Sequence, residues 1–199
     1  MTGAWLVVIN DRITVVPTPT LSSKSSTTWS FYSSSGSIGV YELQNNKWIC
    51  RPYTRSTTSM TFSLSNWNLS SKFIRVQSEF SAPKYYYTGL TSNGNFKNTG
   101  LYDFILANGS SKKSVVVSSD APVFVHTLVS SYAYDFCKNW DIDDWEFYKK
   151  ELGPQQFDFT AKTQQKYDIP VEEINKNECY VVIAHFADGT SVMSDVMVK

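Results

Sequence analysis

A chain of 199 residues is long enough for one large or two ordinary domains, and its 15% aromatic and 18% charged residues are typical of a protein that folds around a core. This composition excludes an intrinsically disordered chain. No run of about 18 apolar residues predicts a membrane span, and the opening segment MTGAWLVVINDR has neither the positive n-region nor the cleavage site of a signal peptide. We therefore expect a product made in the cytoplasm, with no membrane partner.

The formal net charge of zero hides two oppositely charged parts. Residues 1–117 contain 11 Lys and Arg against 4 Asp and Glu, whereas residues 118–199 contain 7 against 14. Ser and Thr follow the same division, with 34 in the first part and 10 in the second. The two coinciding shifts predict a basic, Ser/Thr-rich domain over 1–117 and an acidic domain over 118–199.

The first domain is predicted to consist of β-strands. Thr and Ser alternate with Trp, Phe, Val or Ile in several short segments, a pattern typical of strands with one wetted face. Turn residues separate these segments, among them Gln44–Lys47 and Asn108-Gly109. The predicted strands are AWLVVI, RITVVPT, TTWSFYS, SIGVYEL, KWICRPY, SMTFSLS and KFIRVQS, followed by YYYTGL, LYDFILAN and SVVVS.

The second domain continues with the same kind of element. In VFVHTLV, Phe124, His126 and Leu128 alternate with valines and a threonine, as in a strand. ECYVVIAHF is apolar on both faces and is expected at the centre of a sheet, and Asp188-Gly189 predicts the hairpin that follows it. The remaining predictions are strands at AYDFC (133–137), WEFYKKE (145–151), KYDIPVEEI and SVMSDVMVK, and a turn at Gly153-Pro154 before QFDFTAKT.

Residues 143–152, DDWEFYKKEL, allow two predictions. A helix would have Asp143 as its N-cap, Glu146 as the partner in a capping box, and Gly153-Pro154 at its end. The strand rhythm around the segment favours a strand instead. Both alternatives stay open at this point.

Two segments resemble the closing strands of immunoglobulin-like sandwiches in bacterial and phage proteins. KYDIPVEEINKNECYVVIAHFADGTSVMSDVMVK contains, in order, a short apolar strand, a corner, a Tyr-containing strand, an Asp-Gly turn and a final strand, and SMTFSLSNWNLSSKFIRVQ is similar to the corresponding pair of the first domain. The resemblance implies an all-β fold of two tandem immunoglobulin-like β-sandwich domains. It departs from antibody domains, because Tyr180 follows Cys179 instead of preceding it by two residues, and Trp145 lies only eight residues after Cys137.

No residue pattern points to catalysis. His126 and His185 are the two histidines, and each lies within an apolar strand, where a structural role is expected. A nucleophile elbow and a Gly-rich phosphate loop are both missing from the sequence. The cysteines, Cys50, Cys137 and Cys179, are odd in number and far apart, which predicts reduced, buried thiols rather than a disulfide. We expect no enzyme and no cofactor.

An acidic cluster offers the one candidate metal site. It consists of Asp141, Asp143, Asp144 and Glu146. Calcium takes about six to eight oxygen ligands, and closely spaced carboxylates in a loop supply several of them. The cluster lacks the glycine and the distant glutamate of an EF-hand, so a solvated acidic loop is the main prediction and a calcium site the alternative.

Aromatic residues of the first domain form a candidate sugar platform. Exposed rings flanked by hydroxyl and amide groups suit stacking on glycans, although sandwich cores also use many aromatic side chains. The Lys and Arg residues of this domain are scattered singly, with Lys112-Lys113 the one adjacent pair, so no nucleic-acid partner is predicted. The candidate stacking residues are Trp29, Trp48, Trp67, Tyr85, Tyr86 and Tyr87.

These features predict a non-enzymatic structural or interaction protein. The opposite charges would attract the two domains either to each other or to a neighbouring copy head to tail, and heterologous contacts of the second kind close into rings or propagate as lattices. The resemblance implies a bacteriophage virion component, such as a capsid decoration, head fibre or tail-associated protein, located in the virion and bound to other virion or scaffold proteins or to copies of itself. The alternative is a carbohydrate-binding surface module or adhesin that binds a host surface glycan.

Overall fold

The computed structural model describes residues 4–9, 12–25, 28–34, 37–56, 61–65, 72–78, 81, 83–89, 105–108, 113–130, 149–159 and 163–199. Within these ranges the chain is built from antiparallel strands and a 3₁₀ turn at Val171–Glu173, which confirms the predicted all-β class. The same ranges contain no helix with the length and apolar character needed to cross a bilayer.

Most described strands overlap the predicted segments. The predicted strand KYDIPVEEI ends at Asp168 and is wrong at 171–173, which form the 3₁₀ turn, and the predicted strand AYDFC (133–137) lies outside the described residues. The main omissions from the sequence prediction are β3 and β7, which are short and exposed. The strands are β1 (Ala4–Ile9), β2 (Arg12–Pro17), β3 (Thr20–Lys24), β4 (Thr28–Tyr32), β5 (Gly39–Gln44), β6 (Lys47–Cys50), β7 (Thr54–Arg55), β8 (Thr61–Ser65), β9 (Phe73–Gln77), β10 (Lys84–Tyr87), β11 (Ile105–Asn108), β12 (Lys113–Ser119), β13 (Val123–Ser130), β14 (Lys150–Phe157), β15 (Thr163–Asp168), β16 (Cys179–Phe186), β17 (Ser191–Met193) and β18 (Met197–Val198).

The chain divides into two compact units. Unit 1 comprises residues 1–44 and 48–89, and unit 2 comprises 90–199 together with 45–47. This division falls before the compositional boundary at 117/118, which β12 crosses. Val115 and Val117 of β12 are buried in the core of unit 2. The composition changes at 117, but the strand pairing that builds the second core begins earlier.

Unit 1 contains two four-stranded sheets with orders β3-β4-β8-β7 and β10-β9-β5-β6. If β3–β10 are lettered A, B, C, C′, D, E, F and G, the sheets are A-B-E-D and G-F-C-C′, which is compatible with an immunoglobulin-like sandwich. Both sheets contribute to one apolar cluster of Trp29, Phe31, Ile38, Val40, Phe62, Leu64, Ile74 and Val76.

Local chemistry sets the turn between β5 and β6. Asn45 and Asn46 have φ of 49° and 61°. Two successive positive φ values are typical of the tight two-residue hairpin turn, and Asn tolerates this conformation better than most residues. The turn predicted at 44–47 is confirmed.

Strands β1 and β2 form a separate hairpin. Among the described strands they pair only with each other, in a register that runs from Ala4↔Pro17 to Ile9↔Arg12.

Unit 2 has a related strand order. Its sheets are β11-β12-β15 and β14-β13-β16-β17, with β18 also paired to β16. If β11–β17 are lettered A, B, C, C′, E, F and G, these sheets are A-B-E and C′-C-F-G, again compatible with the predicted sandwich. Strand β13 is buried at every residue, and β16 has partners on both sides, as predicted from its apolar faces. The Asp188-Gly189 turn is confirmed, with Gly189 at φ +89°.

The turn predicted at Gly153-Pro154 is wrong. Both residues lie inside β14, where they oppose the single residue His126 of β13 in a β-bulge. Gly153 has φ +57°, the left-handed conformation found in bulges that begin with glycine, and Pro154 lacks an N–H for the ladder. The helix alternative for 143–152 is also wrong at residues 150–152, which belong to β14, while 143–148 lie outside the described residues.

The bulge is held by a hydroxyl from the other sheet. Tyr167 of β15 donates a hydrogen bond to the Leu152 carbonyl at 3.0 Å, and the Thr127 hydroxyl lies 2.9 Å from the Tyr167 oxygen. Burial raises the pKa of the Tyr167 hydroxyl, so this link between the two sheets is neutral. A Cβ at Gly153 would lie 2.5 Å from the Tyr167 oxygen, which explains the need for glycine there.

Candidate functional site

Several predicted site residues fall outside the described part of the chain. These are the acidic cluster Asp141, Asp143, Asp144 and Glu146, and the platform candidate Trp67. Cys137 also lies outside it, while Cys179 is a buried free thiol and Cys50 is free but exposed, contrary to the expectation that it is buried. Within the described ranges, no three His, Cys, Asp or Glu side chains are grouped as metal ligands.

Two of the platform candidates belong to the core side of unit 1. Trp29 is 5% exposed, and Tyr86 packs against the same apolar cluster. Their ring centroids are 6.1 Å apart with an edge-on geometry, and Tyr86 also lies 5.4 Å from Phe31. A ring enclosed in this way cannot stack on a sugar, so Trp29 is removed from the platform.

The outer face of the β10-β9-β5-β6 sheet brings other candidates together. Tyr41, Arg75 and Tyr85 are cross-strand neighbours on β5, β9 and β10, and Trp48 comes from β6. The Arg75 guanidinium carbon lies 4.5 Å from the Tyr41 ring centroid and 4.9 Å from that of Trp48. Trp48 and Tyr85 have centroids 5.8 Å apart. We call these four half-buried residues the Arg75 face.

Strand alternation explains why the sequence builds this face. In β9, Ile74 and Val76 are buried in the core, so Arg75 between them must point to the opposite side. The Tyr41 ring lies over Gly39, where an added Cβ would come within 2.7 Å of it. Glycine thus leaves room for the ring to lie flat against the sheet.

Tyr87 extends the aromatic surface. Its ring centroid lies 4.8 Å from that of Phe73, and the ring covers Gly89, where an added Cβ would come within 2.5 Å of it. By register, Tyr87 and Phe73 are cross-strand partners one pair beyond Tyr86 and Ile74. Successive rings of β10 therefore alternate between the outer face and the core.

The Arg75 face combines positive charge with flat aromatic surface. A guanidinium within about 6 Å of aromatic ring centroids is attracted by the negative ring faces, which restrains the side chains. Such a surface suits the ring of a sugar or the aromatic and acidic side chains of a protein. Next to it, the edge strand β6 exposes Ile49, at 40%, and Cys50.

A buried carboxylate stiffens the same sheet. Glu42 of β5 is fully buried; Arg51 Nε donates to it at 2.7 Å, Gln44 Nε2 donates at 2.8 Å, and the Lys72 ammonium forms an ion pair with it. Burial alone would raise the pKa of this carboxyl, but the hydrogen bonds from these three residues outweigh it and hold the pKa below 4.5. Glu42 is therefore ionised at neutral pH.

Unit 2 contains a different polar cluster. His126 of β13 and His185 of β16 face each other, with their Nε2 atoms 3.1 Å apart. Glu151 of β14 places a carboxylate oxygen 3.3 Å from His126 Nδ1. Phe124 packs against both imidazoles, with centroid distances of 4.7 Å to His126 and 5.6 Å to His185.

Sequence reasoning missed Tyr41, Arg75 and the pairing of the histidines. The alternation in SIGVYEL and KFIRVQS could have placed Tyr41 and Arg75 on an outer face, but the histidine pair depends on the register between strands 59 residues apart. The chain matches no protein-family model and no curated protein.

Proposed function

We propose that this chain is a non-enzymatic structural protein of a bacteriophage virion, acting as a capsid decoration, head fibre or tail-associated component. The observation that carries the proposal is the opposite charge of the two compact units. Unit 1 has 7 Lys and Arg against 3 Asp and Glu, whereas unit 2 has 11 against 15. Each unit has its own apolar core, so the chain offers two separate folded bodies of opposite sign.

Opposite charges within one chain favour repeated assembly. The basic unit of one copy attracts the acidic unit of the next, and this contact uses two different surfaces. When copies are joined in this way, one basic and one acidic surface stay unoccupied at the two ends of the assembly. Further copies therefore add until the assembly closes into a ring or extends as an array. Decoration, fibre and tail proteins are displayed in such repeats.

The Arg75 face supplies a suitable contact surface. Arg, Tyr and Trp are enriched at the centres of protein interfaces, because they bury a large area while retaining a polar group. In this face they are already restrained by one another, which lowers the entropy lost on binding. The exposed Ile49 adds apolar area at its edge.

The proposal is tested by the mass of the full chain in solution at low salt and at about 0.5 M salt, where charge attraction between exposed groups is largely screened. We expect oligomers at low salt that dissociate at high salt, and weaker oligomers for Trp48→Ala. Tyr32→Ala is the matched control, since Tyr32 is 46% exposed on the other sheet of unit 1. A monomer at both salt concentrations that is also absent from purified virions would overturn the proposal.

Glycan binding is a second candidate, favoured by the Trp48–Tyr85 pair. Both rings are half-buried and lie beside the Arg75 charge, an arrangement that could hold a sugar carrying a carboxylate. A glycan array probed with the full chain and with Trp48→Ala distinguishes the two functions. Binding that is lost in Trp48→Ala but kept in Tyr32→Ala would favour the glycan function, and an array without binding would remove it.

A further inference from the structure

The proposed function makes no use of the histidine pair in unit 2. The chain has two histidines, and they are 59 residues apart in sequence, yet their Nε2 atoms lie 3.1 Å from each other. Two ring nitrogens at this distance form a hydrogen bond when one carries a proton and the other presents its lone pair. The contact thus contains one proton.

The groups around the contact come from three neighbouring strands. On β13, the His126 side chain is fully buried and lies beside the ring of Phe124. On β14, Glu151 is 6% exposed and is the charged group near His126 Nδ1. On β16, His185 is partly exposed, and Cys179 lies further along the same face. The residues of β17 that lie opposite His185 and Ile183 are Ser191 and Met193. Neither of these two β17 side chains ionises.

We propose that the His126–His185 contact is a pH-dependent switch in unit 2. One shared proton joins the two rings by a hydrogen bond at neutral pH, and a second proton separates them in mild acid. With both rings protonated, two N–H groups would point at each other across 3.1 Å, and two positive charges would meet beside the ring of Phe124. The carboxylate of Glu151, 3.3 Å from His126 Nδ1, compensates one of these charges. The second proton therefore has to separate the rings. This inference does not depend on the proposed virion role.

The electrostatics agree with the geometry. Desolvation lowers the pKa of His185 well below 6.5, and the neighbouring His126 lowers it further, while Glu151 acts in the opposite direction. In the unfolded chain the same histidine takes up a proton near 6.5. Between the two pKa values the unfolded state binds more protons, so stability is complete above pH 6.5 and falls as the pH drops.

The pair can be observed directly, because two histidines give only two sets of imidazole resonances. The full chain, labelled with ¹⁵N in histidine, is titrated by NMR from pH 8 to 4. We expect one shared Nε2 proton at neutral pH and a His185 ring that stays neutral below pH 6.5. Protonation of His185 should then coincide with a loss of protection in β13 and β16. The folding equilibrium constant of unit 2 should fall by up to about tenfold per pH unit below 6.5.

Two variants complete the test. His185→Gln removes the titrating ring and is expected to flatten the dependence of the unfolding midpoint on pH between 7 and 5. Glu172→Gln, at an exposed site of the same unit, should keep the wild-type dependence. If His185→Gln fails to fold, the wild-type titration decides alone.

Titration of the His185 ring near 6.5, with unchanged stability of unit 2, would overturn the proposal. Native mass spectrometry provides a separate check, since one zinc ion held by both Nε2 atoms would replace the shared proton and would also overturn it.

Discussion

Units 1 and 2 have related strand orders, but the buried carboxylate of unit 1 and the histidine pair of unit 2 lie on opposite faces of their sheets. In unit 1, the carboxylate of Glu42 is on the face of β5 that also carries the core residue Val40, and two cations neutralise it. In unit 2, the hydroxyl of Tyr167 enters the core, while the two histidines and Glu151 occupy the other face of the sheet. One unit thus contains a permanent ion cluster and the other a cluster whose charge depends on pH.

This difference shows that strand order leaves the chemistry of buried polar groups free to vary. A buried carboxylate is tolerated where cations reach it from neighbouring strands, and a buried imidazole is tolerated while it is neutral. We therefore expect unit 1 to respond mainly to loss of a partner charge, and unit 2 to respond to loss of a hydroxyl, to backbone changes at its bulge and to mild acid.

The largest effect is expected for Gly153→Ala in unit 2. The substitution forces a residue with a Cβ into a left-handed conformation and displaces the Tyr167 hydroxyl, so we expect a loss of about 3 kcal/mol in unfolding free energy. Denaturant unfolding of the full chain measures it. Gly189→Ala is the matched control, because its φ is also positive but an added Cβ would meet nothing within 4 Å. Equal losses in the two variants would show that the Tyr167 contact is unimportant.

Glu42→Gln is expected to destabilise unit 1 by about 2 kcal/mol, because it removes the charge that compensates Arg51 and Lys72. Amide hydrogen exchange locates the effect, which should appear in β5 and β9 and spare β13 and β16. Glu173→Gln, at an exposed site, serves as the control and should be close to neutral. Faster exchange confined to unit 2 in Glu42→Gln would contradict the comparison.

Tyr167→Phe should cost unit 2 about 1–2 kcal/mol, since the Leu152 carbonyl and the Thr127 hydroxyl lose a buried partner. Tyr180→Phe should cost less, because the Tyr180 oxygen accepts its hydrogen bond from Lys113, whose ammonium can turn to water. Thermal unfolding of both variants measures the difference. A larger loss in Tyr180→Phe would mean that the link between the sheets at the bulge is weak.

The smallest effect is expected from mild acid on the wild-type chain. His185 has a lowered pKa, so by pH 5.5 unit 2 should lose about 1 kcal/mol while unit 1 is unchanged. Glu42 also has a lowered pKa, and the Lys149 hydrogen bond and the Asn175 amide lower that of Glu178 to about 2. These carboxylates stabilise their units above pH 4.5, and this stabilisation is lost only as the pH falls below it. Amide exchange, corrected for its intrinsic pH dependence, should show unit 2 opening before unit 1.

The sequence predicted most strands because alternation of apolar and polar residues is a local property. It failed for β3, TLSSK, since this strand is almost entirely exposed and has no apolar face to reveal it. It also failed at Gly153-Pro154, because the same dipeptide suits a turn or a bulge, and only the pairing with β13 decides between them. The charge and Ser/Thr shift at 117 describes composition rather than core membership, which is why β12 crosses it.

The candidate site was partly predictable for the same reason. Trp48 and Tyr85 were recognised as aromatic candidates, but the sequence could not show that Trp29 is buried in the core and that Tyr86 packs against it. The partners of Arg75 depend on lateral register across three strands, and the contact of His126 with His185 depends on which strands are neighbours. Both are long-range properties that a single sequence does not contain.

The bulge in β14 also sets which insertions and deletions this strand tolerates. Leu152 and Phe157 are five positions apart, an odd separation that would put them on opposite faces of an uninterrupted strand, yet both contact the core of unit 2. The extra residue opposite His126 corrects this parity. Deleting Pro154 alone would remove the extra residue and leave Leu152 and Phe157 four positions apart, so both side chains would still face the core in a regular strand. Deleting Gly153 together with Pro154 would leave them three positions apart and turn Phe157 away from the core. Loss of the one extra residue is thus expected to keep the core face of this strand, whereas loss of both residues opposite His126 is expected to reverse it beyond that point.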